Sequence, residues 1–400
     1  MTGWTEATLG ELGEAFIGLT YSPNQVSSSG TLVLRSSNIQ RGRLDLTDTV
    51  QVNAQIPEKI RVRESDVLIC VRNGSRRLIG KSLYLDNRVA GETFGAFMAV
   101  FRSPLNSYLR YFFESGDFKR QVDEHLGATI NQITNASLRG FRVRYPGEAE
   151  RDEIAARLAD VDAFVVSLER LIAKKRAVKQ GMMQELLTGR TRLPGFTGDW
   201  REVELGHLGV FLKGRGVTRD KVRSSGVPCI RYGELYTVYR DYARETVSFV
   251  DPDVSISALP VRSGDLLFAG SGETKAEIGM VVAYVGQVAA VAGGDIIVLR
   301  GAGFDPIFLA SLLNTPSLAA QKASRGQGDA VVHIGAGALS TLRFRLPAID
   351  EQHAIAEVLQ NADAEIEASE HRLESARAVK IGMMQELLTG RTRLPFGGKE

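Results

Sequence analysis

The chain has 400 residues, 44% of them hydrophobic and 24% charged, with a formal net charge of +2 and two cysteines. This length predicts two to four domains, and the ordinary composition argues against wholesale disorder. The sequence excludes a membrane span, because no apolar run approaches ~18 residues. Its first residues lack the basic and apolar regions typical of a secretory signal, and two cysteines are too few for a disulfide framework, so we expect a cytoplasmic protein.

The first 147 residues predict a mixed α/β domain. Short apolar runs are bounded by Gly, Asn and Ser turns, which is typical of strands. Strands are expected at residues 31–35, 67–71, 81–85 and 95–101, and one helix is expected near residues 105–125.

Residues 148–198 predict a long helix that belongs to a coiled coil. From Ile154 onward the apolar positions step by four and three residues in alternation, and the register continues through Lys179. Such spacing is typical of a coiled-coil seam. Pro146 and Gly189 mark the two ends of the helix. A helix that packs only on its own globular domain is the alternative.

The second half of the chain repeats this order. Residues 199–347 predict another mixed α/β domain, and residues 348–400 predict another long helix, which begins after Pro347 and ends before Gly390 and Pro395. In the second domain, strands are expected at residues 266–268, 279–285 and 296–299, and one helix is expected near residues 306–322.

The two halves are a tandem duplication. Residues 176–194 (RAVKQGMMQELLTGRTRLP) and 377–395 (RAVKIGMMQELLTGRTRLP) match at 18 of 19 positions with an offset of 201. Trp4 and Trp200 each open a W-x-x-x-x-L-G motif. Chance does not explain a repeat on this scale. We expect two globular domains separated by two long antiparallel coiled-coil helices, in a pseudo-two-fold tandem repeat.

No catalytic or metal-binding constellation stands out in the sequence. The five histidines lack HxxxH or HExxH spacing, and there is no G-x-S-x-G elbow or phosphate-binding loop. Asp265, Glu273 and Lys275 match the Asp…Glu-x-Lys arrangement of metal-dependent nucleases, but the equivalent stretch of the first half has no carboxylate. We expect a non-catalytic chain, with a Mg²⁺-dependent nuclease as an alternative.

An antiparallel pair of long helices has a consequence for ligand binding. It turns the tandem halves by about 180° relative to each other, so a ligand with two-fold backbone symmetry would meet both globular domains equivalently. Duplex DNA is such a ligand. Because the two domains differ in sequence, we expect an asymmetric bipartite DNA site.

The near-identity of the segments 176–194 and 377–395 suggests a surface that is presented twice to two copies of one partner. The globular domains have diverged while these segments have not. Recent duplication, gene conversion or a shared packing role are the alternatives.

The whole chain resembles the specificity (S) subunit of type I restriction–modification systems. The W-x-x-x-x-L-G openings, the Gly-rich turn before each long helix and the Q-x-L-L-T-G-x-x-R-L-P endings are similar to that family. The resemblance implies that 1–147 and 199–347 are target recognition domains, each reading one half of the site. The helical regions 148–198 and 348–400 would then set the spacer and dock the partner subunits.

The same resemblance implies which molecules assemble with this chain. Two methyltransferase subunits would supply S-adenosylmethionine and methylate adenine at N6, so this chain itself would hold no cofactor. Restriction–translocase subunits, where the system has them, would join the same complex. A helical scaffold without a DNA site is the competing interpretation, and salt-dependent DNA binding would distinguish the two.

Candidate DNA contacts are mostly basic and amide side chains. Arg and Lys neutralise phosphates, Arg binds guanine O6 and N7, and Asn and Gln pair with adenine edges. In the first recognition domain they are Arg35, Ser36, Asn38, Arg72, Asn73, Arg76, Arg77, Lys81, Asn131 and Gln132. In the second they are Lys213, Arg215, Arg219, Lys221, Arg223, Arg231, Tyr232, Glu234, Ser271, Thr274, Lys275, Lys322, Arg325, Gln327 and His333.

Candidate partner contacts lie in the two copies of the repeated segment. They are Met182, Met183, Glu185, Leu186, Leu187, Arg190 and Arg192 in the first copy, and Met383, Met384, Glu386, Leu387, Leu388, Arg391 and Arg393 in the second.

Overall fold

The computed structural model describes residues 3–126, 131–328 and 331–394, which form two compact units. Unit 1 comprises Met1–Glu169 with His371–Glu400, and unit 2 comprises Arg170–Glu370. Each unit thus holds one variable domain, the first half of the long helix that follows it, and the second half of the other long helix. The predicted end signal Pro395 lies outside the described residues.

Two four-stranded sheets form the body of unit 1. One is antiparallel, with the strand order Glu14–Ile17, Met98–Arg102, Val67–Cys70, Ser82–Tyr84. The other has the order Thr93–Phe94, Thr31–Leu34, Gln51–Val52, Val26–Ser27, and its first pair is parallel. Two short pairs complete the unit, Trp4–Thr8 with Arg142–Pro146 and Ile39–Gln40 with Arg43–Leu44. These strands confirm those predicted for the first domain.

The strand Val67–Cys70 is apolar at every position because both of its faces are buried. Val67 and Ile69 join one hydrophobic core, while Leu68 and Cys70 join another. Successive side chains of a strand point to opposite faces, so one short run supplies both cores.

The single helix predicted near residues 105–125 is wrong in one respect, because the structure has two helices there. Asn106–Glu114 ends before Ser115, whose hydroxyl accepts a hydrogen bond from the backbone N–H of Phe118 at 3.3 Å and caps Gly116–His125. The described part of unit 1 also contains the short helices Leu9–Leu12 and Asn135–Gly140.

Unit 2 is built on two five-stranded sheets. The first has the order Gly209–Lys213, Ile296–Gly301, Leu266–Ala269, Val281–Tyr284, Tyr242–Ala243. The second has the order Val222–Arg223, Ser248–Val250, Val227–Ile230, Ala290–Ala292, Leu259–Val261. Short pairs join Arg201–Glu204 to Arg343–Leu346 and Ser271–Gly272 to Val332–His333. The strands predicted for the second domain are confirmed, and so is the mixed α/β class.

The single helix predicted near residues 306–322 of unit 2 is also two helices in the structure. Pro306–Leu313 and Pro316–Ala323 are separate helices, because Pro316 has no backbone N–H to continue the first one and fits the first turn of the second. Shorter helices lie at Tyr232–Thr237, Pro252–Ser257 and Ala336–Ser340.

The two long helices span Glu148–Leu186 and Ile349–Leu387. In unit 1, Lys380 pairs with Asp162 at 2.7 Å and Arg377 pairs with Glu169 at 2.6 Å, so rising residue numbers on one helix meet falling numbers on the other. The predicted antiparallel pairing is therefore confirmed within this unit.

Unit 2 repeats the pairing with equivalent residues. Lys179 is buried in the seam and binds Asp363 at 2.7 Å, which mirrors Lys380 and Asp162 at an offset of 201. Leu186 and Ile355 also pack in the core of the globular part. Each helix half therefore contacts both the other helix and a globular domain. Along the described chain, no helix combines the length and apolar character that crossing a membrane requires.

Candidate nucleic-acid interface

Several candidate DNA contacts of unit 1 lie together where the chain leaves the strand Val67–Cys70. Arg72 is exposed and lies opposite Gln132 in an isolated antiparallel bridge. Its guanidinium stacks on the ring of Phe97, 5.1 Å from the centroid. The Asn73 amide donates a hydrogen bond to the Ser36 hydroxyl at 3.3 Å. These groups offer hydrogen-bond donors and acceptors beside an aromatic face.

Other candidates of unit 1 are engaged within the protein. Arg35 forms an ion pair with Asp48 at 2.8 Å, and Arg76 donates to the backbone carbonyl of Asp123 at 3.1 Å. Asn38 is fully buried and donates to backbone carbonyls, so it organises its loop and is corrected to a structural residue. The side chains of Arg77 and Asn131 are exposed, and that of Lys81 is half-buried.

Unit 2 gathers five candidates around a cleft of about 470 Å³: Lys213, Ser271, Arg325, Gln327 and His333. The Ser271 hydroxyl and His333 Nδ1 lie 2.9 Å apart and are hydrogen-bonded. The Arg325 guanidinium is held by the side chain of Thr341 and the backbone of Gln321. The cleft therefore combines two cations, the carboxylate of Asp295 and neutral donors and acceptors, all of which are groups that can contact nucleic acid.

The basic loop of unit 2 contains both exposed cations and cations that are bound within the protein. Arg219 and Lys221 are exposed. Arg215 donates to the carbonyl of Ser257 at 3.1 Å, and Arg223 pairs with Asp251 at 3.0 Å. Thr274 bonds to Glu277 in a second loop, where Lys275 is also exposed.

Glu234 requires a correction. Its carboxylate is buried and binds the Arg231 guanidinium at 2.7 Å and the backbone N–H of Arg231 at 3.1 Å. This arrangement closes the first turn of the helix Tyr232–Thr237, so Glu234 is a capping residue and Arg231 is largely occupied by it. Tyr232 remains exposed at the start of the same helix.

Lys322 is also corrected. Its side chain is 2% exposed, and the ammonium donates to the backbone carbonyl of Gly279 at 2.7 Å. Burial lowers the pKa of Lys322 to about 7. An ammonium enclosed in this way does not reach a phosphate, so Lys322 leaves the set of candidate DNA contacts.

The nuclease alternative loses its first carboxylate in the structure. Both oxygens of Asp265 bind the guanidinium of Arg300, at 2.9 and 2.6 Å, and one also accepts from the backbone N–H of Arg262. Unit 1 has the same buried pair in Asp66 and Arg102. A motif residue with an equivalent in both units is explained by folding, so Asp265 is not evidence for a metal site.

The candidate partner contacts divide into a packing set and an outer set. Leu186, Leu187, Met384 and Leu387 are buried in the cores of their units, so these side chains do not form an outer surface. The half-buried members Met182, Met183, Met383 and Leu388 pack against the same cores. Arg190 and Arg391 are exposed, and within the described part of the chain each forms a loose ion pair with a glutamate, Glu185 or Glu386.

Both copies of the repeated segment also make the same contacts inside their own units. Arg192 binds Glu351 through two hydrogen bonds, and Arg393 binds Glu150 in the same way. Gly189 and Gly390 each have φ of 68° and lie against an indole ring, Trp200 and Trp4 respectively. The shared packing role considered as an alternative therefore has direct support.

Sequence reasoning missed two residues beside the candidate contacts. Phe97 stacks on Arg72, and Asp295 lines the cleft of unit 2. Phe97 carried no polar signal, and Asp295 lies in a glycine-rich turn where acidic residues are common. Only the backbone pairing brings them to these places.

Comparison with known proteins finds similarity to specificity subunits of type I restriction enzymes. The family model described as "Type I restriction modification DNA specificity domain" matches residues 1–180. The chain is 25% identical over 291 residues to the type I restriction enzyme EcoKI specificity subunit of Escherichia coli strain K12, a match covering 66% of this chain and 61% of that protein. It is 28% identical over 203 residues to the StySPI specificity subunit of Salmonella potsdam, covering 47% and 43%. The chain thus spans less than two thirds of these relatives.

The fold agrees with the sequence comparisons. A solved chain from a study of complex assembly and conformational transition of the type I R-M system has 18% identity and a TM-score of 0.61, and the similarity covers 97% of this chain and 98% of that one. Through the domain matched over residues 1–180 and the named relatives, the chain is similar to specificity subunits of type I restriction–modification systems, and it shares its fold with the solved chain.

Proposed function

We propose that this chain is the sequence-specific DNA-binding subunit of a type I restriction–modification complex. Residues 1–147 and 199–347 act as target recognition domains, and each reads one half of an asymmetric bipartite site. The observation that carries the proposal is the cleft of unit 2, which is lined by Lys213 and Arg325 together with neutral polar groups and the carboxylate of Asp295. Cations position a phosphate backbone, and neutral donors and acceptors read base edges.

The proposal includes partners but no chemistry on this chain. Residues 148–198 and 348–400 set the spacer and dock two methyltransferase subunits, and those subunits hold S-adenosylmethionine and methylate adenine at N6. Restriction–translocase subunits join where the system contains them. The exposed Arg190 and Arg391 are the best-placed members of the docking surface, because their side chains contribute little to packing. A DNA substrate in the cell makes the cytoplasm the place of action.

Methylome sequencing tests the proposal directly. A host that expresses this chain with its methyltransferase partner is compared with a host that expresses the methyltransferase alone. We expect a bipartite N6-methyladenine motif with a fixed gap that disappears without this chain. Methylation that persists unchanged in its absence would refute the specificity role.

Binding measurements separate the proposal from a scaffold without a DNA site. The complex purified with the methyltransferase is titrated against duplexes that contain the methylated motif, between 50 and 200 mM salt. We expect tight binding to the motif. The logarithm of the binding constant should fall steeply as the logarithm of the salt concentration rises. A scaffold would give neither preference for the motif nor a steep salt dependence.

A further inference from the structure

Each unit contains the same kind of backbone junction at the place where its own candidate contacts gather. In unit 1, the N–H of Ile133 donates to the carbonyl of Val71 at 2.8 Å, and the N–H of Val71 donates to the carbonyl of Phe97 at 3.0 Å. In unit 2, Ile334 donates to Gly270 at 3.0 Å, and Gly270 donates to Asp295 at 2.7 Å. The same three segments therefore meet in the same way in both units.

This junction fixes which residues are equivalent. Arg72 faces Gln132 across an antiparallel bridge in unit 1, and Ser271 faces His333 across an antiparallel pair in unit 2. Arg72 thus corresponds to Ser271 and Gln132 to His333. By the preceding hydrogen bonds, Phe97 corresponds to Asp295.

The inner side of the junction is apolar and buried in both units, whereas the chemical character of its outer positions differs between them. Cys70 and Ala269 end the equivalent strands, Met98 and Ile296 begin the next ones, and all four are buried. The outer positions carry an arginine, a phenylalanine and an amide in unit 1, but a hydroxyl, a carboxylate and an imidazole in unit 2. Folding therefore constrains the apolar side of the junction more than the opposite side, where five of the six side chains are exposed or half-buried and Ser271 is 4% exposed but lines the cleft.

We propose that these three equivalent positions determine which bases each unit reads: Arg72, Phe97 and Gln132 in unit 1, and Ser271, Asp295 and His333 in unit 2. The proposal rests on the proposed DNA-binding function and names the residues that make the two half-sites different.

In unit 1 the arrangement suits a guanine. Phe97 is 56% exposed, and its ring supports the guanidinium of Arg72, whose N–H groups have no carboxylate partner among the described residues. A stacked guanidinium loses little freedom when it binds, and its fork matches O6 and N7 of guanine. Gln132 on the facing segment provides an amide that pairs with adenine.

In unit 2 the arrangement suits a base with an exocyclic amino group. Asp295 and His333 line the cleft of about 470 Å³ beside Ser271. A carboxylate accepts from N4 of cytosine or N6 of adenine, and it repels the acceptor atoms of guanine. Because the hydrogen bond to Ser271 occupies Nδ1 of His333, Nε2 is the ring nitrogen left for a ligand.

Two substitutions test the positions in the full complex with the methyltransferase. Arg72→Ala removes the proposed guanine contact, and Asp295→Asn replaces an acceptor by an amide of the same size. Asp295 has φ of 60°, a conformation that asparagine also tolerates, so this change adds no backbone strain. Arg63→Ala and Asp253→Asn are matched controls, because both residues are exposed and lie away from the junction in sequence.

Methylome sequencing supplies the readout. We expect Arg72→Ala to lose about tenfold or more of its discrimination at one base of one half-site, and Asp295→Asn to lose a similar factor at one base of the other half-site. The remaining half-site and the gap stay unchanged in each case, and both controls retain the full motif. An unchanged motif in both variants, or relaxation in the same half-site, would overturn the proposal.

A variant that loses methylation altogether is tested by DNA binding. If a variant abolishes methylation, its complex is titrated against duplexes carrying each of the four bases at every motif position. A flattened preference at one position supports the proposal, and a preference equal to that of the wild type overturns it. If the wild-type chain directs no methylation at all, the proposed function itself fails.

Discussion

Replacing Arg393 by alanine tests whether the two repeated segments are nearly identical because both pack in the same way. Arg393 is 43% exposed, but the Glu150 carboxylate that it binds through two hydrogen bonds is only 3% exposed. Removing the guanidinium leaves a buried carboxylate without its charge partner, which costs about 3–5 kcal/mol for an enclosed pair. Because the arginine is partly solvated, we expect about 2–3 kcal/mol. For a unit of this size that lowers Tm by roughly 4–12 °C.

The assay is thermal unfolding measured by calorimetry, and the control variant comes from the same repeated segment. Arg391 pairs loosely with Glu386 at 3.7 Å, and both side chains are exposed, so Arg391→Ala should cost ~0–1 kcal/mol. Changing Glu150 to Gln in the Arg393→Ala background removes the uncompensated charge and should recover part of the lost stability. The corresponding test in unit 2 is Arg192→Ala.

Equal stability of Arg393→Ala and Arg391→Ala would refute this reasoning. The near-identity of the two segments would then have to come from a common partner or from recent duplication. If packing is the reason, Arg393→Ala destabilises unit 1. By contrast, Arg391→Ala leaves Tm nearly unchanged and weakens co-purification of the methyltransferase.

Three other changes have defined outcomes. Lys322→Met should raise Tm near pH 7 and lose this advantage toward pH 10. Burial lowers the pKa of Lys322 to about 7, so between pH 7 and pH 10 the unfolded chain binds a proton that the folded chain does not. A difference in Tm that does not depend on pH would contradict this prediction. Asp265→Asn should destabilise the protein by about 2–3 kcal/mol in urea unfolding, as should Asp66→Asn, whereas Mg²⁺-dependent cleavage that depends on Asp265 would contradict its structural role. Lys221→Ala should lower the slope of log binding constant against log salt by about 1 without altering the methylated motif, and an unchanged slope would remove it from the phosphate contacts.

The long helices could be predicted from sequence because their signals are local. The alternation of four- and three-residue steps, the preceding proline and the following glycine all lie within one continuous segment. The predicted antiparallel pairing also follows from the repeat, and the ion pairs of Lys179 and Lys380 bear it out within each unit. The breaks at Ser115 and Pro316 were missed, because they interrupt helical periodicity for only one or two residues.

The candidate site was harder to predict because long-range pairing creates it. The offsets between equivalent positions are 199 for Arg72 and Ser271 but 198 for Phe97 and Asp295, so a constant offset does not align them. The burial of Lys322 was also hidden, since a lysine in a polar segment normally lies at the surface. Its equivalent is the apolar Val122, because Gly279 and Gly80 contact these two side chains in the same way.

The division of unit 1 between the two ends of the chain has a consequence for its synthesis. Met384 and Leu387 belong to the same core as Ile154 and Leu158, yet the 201 residues of unit 2 separate the two parts of unit 1. At ~5–20 residues per second, a ribosome needs about 10–40 s to make that intervening segment. The first domain to emerge is therefore the last to be completed. A nascent chain interrupted before residue 371 would expose unpaired apolar surface of unit 1 to chaperones and proteases.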